Sequence, residues 1–122
     1  MTFQGVTPYL YYADAGAALD WLHRVFGFGP DQRMAEDGVV QEADIAVGPA
    51  RVMMSGRAAR EGEGAGTLLI VHVDDVDALH ERVTDAGVEA TPLRDEDYGP
   101  RTFNVTDPWG YRWYFWQNDA VY

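Results

Sequence analysis

Apolar and polar positions change period several times along the chain, and each change marks an element. Val6 to Ala13 is a Tyr-rich apolar run that predicts a strand. Asp14 can then cap a helix. Ala15, Ala18, Leu22 and Val25, joined by Leu19 and Phe26, share one helical face, and Gly27 is a natural stop. Arg33–Glu36 and Val39–Val47 flank a hairpin turn at Asp37-Gly38. In the longer strand Val39, Ala43, Ile45 and Val47 alternate with Val40, Glu42, Asp44 and Ala46. After a turn at Gly48-Pro49 comes a fourth strand, Arg51–Ser55. Residues 56–66, rich in Gly, predict a flexible connection.

The same succession then returns. Thr67 to Val73 predicts a buried strand. Asp74 or Asp75 caps a second helix with the face Val76, Leu79, Val83 and Ala86, and Gly87 ends it. Val88–Leu93 predicts a short strand, residues 94–100 a polar loop, and Arg101–Thr106 and Tyr111–Gln117 the last two strands. Between those two, Asp107-Pro108-Trp109-Gly110 predicts a type I turn opened by an Asp acceptor. Alternation places Arg112, Tyr114 and Trp116 on one face of the last strand and Trp113 and Phe115 on the other, beneath a helix. The order is strand-helix-strand-strand-strand, twice. A shift of 60 residues lays Thr7 on Thr67, Asp14 on Asp74, Ala18 on Ala78, Leu19 on Leu79 and Gly27 on Gly87, which predicts an internal duplication.

Composition narrows the chemistry. The 122 residues fit one domain with a sizeable core. The chain has no cysteine, so disulfides, thiolate zinc sites and cysteine nucleophiles are excluded. Neither a membrane-length apolar run nor a charged-then-apolar leader is present, and the expected compartment is the cytoplasm. The net charge is −11, with arginine as the only cationic residue. Such a surface repels phosphate backbones, so nucleic acid is not an expected partner. The acidity serves either solubility or the steering of a cationic ligand.

Two βαβββ modules with a late Asp-Pro-x-Gly turn resemble the vicinal oxygen chelate superfamily, which includes glyoxalase I, extradiol dioxygenases and bleomycin-binding proteins. Pro8 to Asp14, Ala17 to Leu22 and Phe26-Gly27-Phe28 look like the opening of its bleomycin-resistance-like branch. Val73 to Leu79 and Tyr98 to Phe103 look like the matching second-module segments. The resemblance implies an α+β fold: two tandem βαβββ modules forming a curled eight-stranded mixed sheet with helices on its outer face. It implies one domain over residues 1–122, with module 1 at about 5–55 and module 2 at about 67–117. It also implies a homodimer whose pockets draw on both chains. Metal-dependent members take four ligands from matching strand positions, which the motifs carry onto Pro8, Met54, Leu68 and Tyr114. None offers the imidazole or carboxylate that Zn, Ni, Fe or Mn prefers. A register one residue lower gives Thr7, Met53, Thr67 and Trp113, which is no better. No metal and no other cofactor is expected.

The remaining candidates bind rather than react. His23 and His80 fall between apolar helix positions and are expected to face solvent. His72 shares the strand face of Leu68 and Ile70. It is either a hydrogen-bonded strand-end residue or a weak candidate for a general base, working with Asp44 or Glu42. Tyr12 would line the same cavity through the repeat. Glu42 and Asp44, with Thr102 and Asn104 as counterparts, form a polar face that meets either solvent or a wet pocket; in a pocket, Asp44 would anchor a cationic group. Tyr12, Tyr98, Trp109, Trp113, Tyr114 and Trp116 could stack on a flat organic ligand, or pack at a core or dimer contact, as Trp113 is expected to. Arg112 either pairs with Asp44 or Glu42 or holds an anionic ligand group. The expected ligand-binding set is therefore Tyr12, Asp44, Met54, His72, Tyr98, Asn104, Trp109, Arg112, Tyr114 and Trp116. The resulting expectation is a metal-independent protein that binds a small, cationic or aromatic molecule, for sequestration or resistance. The alternative is an enzyme of the superfamily: a lyase, isomerase or dioxygenase.

Overall fold

A computed structural model describes residues 1–64 and 66–122. The chain divides into two compact units, Met1–Ala65 and Gly66–Tyr122. In the first, β1 (Tyr9–Tyr11) leads to α1 (Ala15–Phe26), followed by β2 (Asp31–Glu36), β3 (Val39–Val47) and β4 (Ala50–Ser55). The strands form a mixed sheet in the order β1-β4-β3-β2, with β1 parallel to β4 and the others antiparallel. Asp14 caps α1 by accepting from Ala17 N at 3.0 Å, as its position before the apolar face predicts. Asp37 and Gly38 both have positive φ, the geometry a two-residue hairpin turn requires. The core joins Ala18, Leu19, Leu22 and Val25 of α1 to Leu10, Ala43, Ile45, Val52 and Met54 of the sheet. At Gly56 the chain leaves the sheet so close to β3 that a Cβ would lie 1.9 Å from Val40 O.

The second unit repeats the plan. It runs β5 (Leu68–His72), α2 (Val76–Asp85), β6 (Arg94–Asp95), β7 (Arg101–Thr106) and β8 (Arg112–Gln117), in the sheet order β5-β8-β7-β6. Asp75, not Asp74, caps α2 through Ala78 N at 3.0 Å. Trp113, Phe115, Phe103 and Val105 are buried on the helix side, with Val76 and Val83 of α2. The fold is thus α+β, with tandem modules and eight strands arranged as two four-stranded mixed sheets.

Several expected boundaries move. The first strand covers three residues rather than Val6–Ala13, and residues 1–7 are exposed. No strand forms at 88–93; that segment is tied to β7 through Thr91 N and Asn104 O at 3.0 Å, and β6 lies in the expected loop. The connection after β4 is not a loose one over its described residues. Arg57 and Glu63 form a two-pronged ion pair at 2.9 and 3.0 Å, and Arg60 N donates to Glu63 at 2.7 Å. That clamp holds the Glu63 carboxyl at about 2, below its ordinary value, first through Arg57 and then through the Arg60 amide.

The repeat is also more finely phased than one shift of 60. The bond from Tyr12 N to Ser55 O recurs as Val73 N to Trp116 O, each partner 61 residues on. The β3–β4 pair Asp44↔Met53 recurs as Asn104↔Tyr114, a step of 60 on one strand and 61 on the other. The turn between β7 and β8 holds the extra residue. Because side chains alternate, one residue reverses the face.

Candidate functional site

Each sheet has one face under its helix and one face away from it. In the first unit the open face carries Tyr9 and Tyr11 of β1, Glu42 and Asp44 of β3, and Arg51 and Met53 of β4. Its polar groups are engaged with one another. Tyr9 Oη donates to Glu42 at 2.6 and 2.8 Å, and this bond to a carboxylate raises the Tyr9 pKa. Arg51 holds Asp44 through Nε at 2.9 Å and also through Nη2. The Arg57 guanidinium stacks 4.5 Å from the Tyr11 ring centre, and Glu63 raises the pKa of the Tyr11 phenol by accepting its hydrogen bond. A shallow groove of about 230 Å³ runs between Gln32, Met34, Glu42, Asp44 and Met53.

The open face of the second unit is built from aromatic and apolar side chains. Leu68, Ile70 and His72 of β5 lie beside Arg112, Tyr114 and Trp116 of β8, which in turn face Thr106, Asn104 and Thr102 of β7. Trp116 forms the centre of one end. The Tyr98 ring is tilted against it at 5.8 Å and the His72 ring meets it edge-on at 6.1 Å. Burial, and then the Glu96 charge, push the Tyr98 phenol above its ordinary pKa. The Trp116 Nε1 proton is buried and has no acceptor among the described residues. At the other end β8 begins in the Asp107 turn. Asp107 is buried and accepts from Trp109 N (3.0 Å), Tyr111 N (2.9 Å) and Trp113 Nε1 (3.1 Å). A groove of about 450 Å³ flanks β7, lined by Glu89, Thr91, Pro92, Asn104 and Thr106.

A family model described as the Glyoxalase/Bleomycin resistance protein/Dioxygenase superfamily matches residues 5–115, spanning both units. The chain belongs to this superfamily. Among solved structures it is similar to TioX from Micromonospora sp. ML1, at 33% identity and a TM-score of 0.77, covering 98% of this chain and 99% of that one. It is also similar to the bleomycin-binding protein of Streptomyces verticillus, solved with copper(II)-bleomycin: 26% identity, TM-score 0.71, 98% and 99% covered. An uncharacterized protein of Mycobacterium tuberculosis is 29% identical over 120 residues, 88% of this chain and 71% of that protein.

The observed phase corrects how superfamily ligand positions fall on the first unit. Tyr114 answers to Met53, not Met54, and Leu68 answers to Thr7, not Pro8, because β1 and β4 each sit one residue out from the 60-residue shift. The set becomes Thr7, Met53, Leu68 and Tyr114. A neutral hydroxyl, a thioether, an alkyl chain and a phenol do not fit a divalent metal. Among the described residues no three His, Asp or Glu side chains gather into a metal-holding group.

The same phase error misplaced two expected ligand contacts. Tyr12 and Met54 are fully buried on the helix side, and Tyr11 and Met53 occupy the open face instead. Asp44 is on the open face but bound to Arg51, and Glu42 is bound to Tyr9. His72, Tyr98 and Trp116 are brought together; Tyr114, Asn104 and Arg112 lie on the same face. Trp109 is separated from Trp116 by the length of β8, standing in the turn. His80 is not turned to solvent: it is half-buried, its Nε2 3.0 Å from Thr91 O and its ring edge-on to Phe103 at 5.0 Å. His23 is exposed, as expected, with Nδ1 2.8 Å from Phe28 O. Sequence reasoning missed the linked pairs Tyr9–Glu42 and Tyr11–Arg57–Glu63. Two tyrosines two apart in a strand, followed by arginine and glutamate in the connection, were the available signal.

Proposed function

We propose that this chain is a small-molecule binding protein that holds a flat aromatic compound against the open face of its second unit, without metal chemistry. The observation that carries the reading is the platform of Trp116, Tyr98 and His72, continued along β8 by Tyr114. Aromatic rings supply large contact area at low conformational cost, with polar tips for orientation. The likeness to a bleomycin-binding protein, at 26% identity over nearly the whole chain, supports a binding role. A cationic ligand has less support than the sequence suggested, because Asp44 and Glu42 are already engaged. The enzyme reading rests on His72 with Asp44 or Glu42. His72 is exposed, its neighbouring carboxylate is the exposed Asp119 at 3.7 Å, and neither Asp44 nor Glu42 is free to serve it.

Sequestration in the cytoplasm requires tight binding and no turnover, and fits this site; resistance to a toxic compound is one use of it. No helix among the described residues is long and apolar enough to cross a membrane. We include in the proposal that the two units act as the modules of one domain over residues 1–122, and that the protein works as a homodimer. Half-exposed Leu68 and Ile70 on the edge strand β5 supply apolar surface for such an association. Light scattering on the purified protein tests the dimer, and a monomeric mass at working concentration overturns it. For binding, calorimetric titration and thermal shift with 2-naphthol and other fused-ring compounds give saturable heats and a raised melting temperature. Absence of both across such a set overturns the reading.

A further inference from the structure

Resting on that reading, we infer that the ligand is an aromatic anion, with Arg112 as the residue that holds its carboxylate. Arg33, Arg51, Arg57, Arg94 and Arg101 each hold a carboxylate of this chain. Arg112 is exposed, forms no ion pair among the described residues, and stands on the aromatic open face between Leu68 and Thr106. A further uncommitted donor on that face is the buried Trp116 Nε1. The acids nearby are largely occupied. Glu96 accepts from Thr102 at 3.0 Å and lies 3.5 Å from Arg94, and Asp95 is bound to Arg101. Asp119 lies beside His72. Glu89 lines the groove along β7 together with Asn104 and Thr106. The face therefore offers donors and rings, and asks for a partner with rings and acceptors.

Spacing agrees. Tyr114 is two residues beyond Arg112, about 7 Å along the strand. A fused bicyclic ring lying over Tyr114 brings a carboxylate on its edge within reach of the guanidinium, whose planar fork suits that group. The net charge of −11 does not prevent this, because charges farther off than about 8 Å are largely screened at physiological salt.

The test uses the full chain and three probes with one ring system: 2-naphthoate, 2-naphthol and 2-naphthylmethylammonium, titrated by calorimetry. The expected result is that 2-naphthoate binds about tenfold or more tightly than the other two, the scale of one charge-assisted contact. Arg112→Gln should abolish that advantage and leave 2-naphthol unchanged, while Arg60→Gln, at the exposed arginine of the first unit's loop, changes nothing. Equal affinities for naphthoate and naphthol, an advantage that survives Arg112→Gln, or tightest binding of the ammonium each overturn the anionic assignment and leave aromatic binding standing. If none of the three binds, aromatic binding itself falls and the assignment with it.

Discussion

The two units share a hydrogen-bonding plan and differ in what their open faces do with it. In the first, each carboxylate on the open face has an internal partner: Glu42 with Tyr9, Asp44 with Arg51. In the second, the matching positions are Thr102 and Asn104, and the neighbouring strands carry Ile70, His72, Tyr114 and Trp116. A duplicated backbone thus supports one face that satisfies itself and one that leaves rings and donors uncommitted. The proposed binding draws on the second kind, since groups already paired gain little by exchanging one partner for another.

Four experiments press on that contrast. The largest effect is expected from Asp107→Ala. It strands the buried Trp113 Nε1 and removes the acceptor for two turn amides, and should cost about 3 kcal/mol in chemical denaturation. Pro49→Ala in the corresponding turn of the first unit should cost well under that; equal losses would mean that Asp107 does not distinguish the second unit. Next, Tyr114→Ala should weaken 2-naphthol about tenfold with little change in melting temperature, whereas Met53→Ala at the matching site leaves affinity intact. Matching losses in both variants would erase the assignment of binding to one face. Third, Asp44→Ala should cost at most about 1 kcal/mol, as expected of a pair with both members partly exposed. If it also abolished ligand binding, the open face of the first unit would have to be counted in the site.

The smallest effect concerns pH. Glu63 sits at about 2 when folded, below its ordinary value of 4.5, so its contribution is complete above pH 4.5 and fades as pH falls through about 2. Its clamp is exposed, so global stability should barely move. Protection of the Arg60 amide, whose N–H Glu63 accepts, should fall relative to that of its neighbours on acidification across that window. Unchanged protection of that amide relative to its neighbours would show that the clamp does not hold the connection.

Much of the fold was legible because its signals are local. Val39–Val47 and Arg101–Thr106 are strands to the residue, since strict alternation and flanking turns bound them on both sides. Asp14, Asp107 and the Asp37-Gly38 turn act as their residue types predict. The site was less legible, for a physical reason. A strand face is decided by parity, and the offset between the units slips from 61 to 60 and back as α2 loses length and the β7–β8 turn gains it. Gly27 and Gly87 agree with the simple shift and conceal the slip. Tyr12 and Met54 were consequently placed on the wrong side. The partners of Asp44 and Glu42 could not be read either, because pairing across strands depends on which arginine and tyrosine register brings alongside.

The Asp107 turn has a further consequence, in time rather than in structure. Its contacts reach only two, four and six residues along the chain, and the backbone bond from Gly110 N to Asp107 O closes at 3.0 Å within the turn itself. Such contacts cost little loop entropy and can form before β5 is drawn in beside β8 across the whole of α2. Asp107 should therefore act as a nucleation point, and Asp107→Asn should slow refolding more than it speeds unfolding in a denaturant chevron. The reverse pattern would mean that the turn is tightened only after the second sheet is complete.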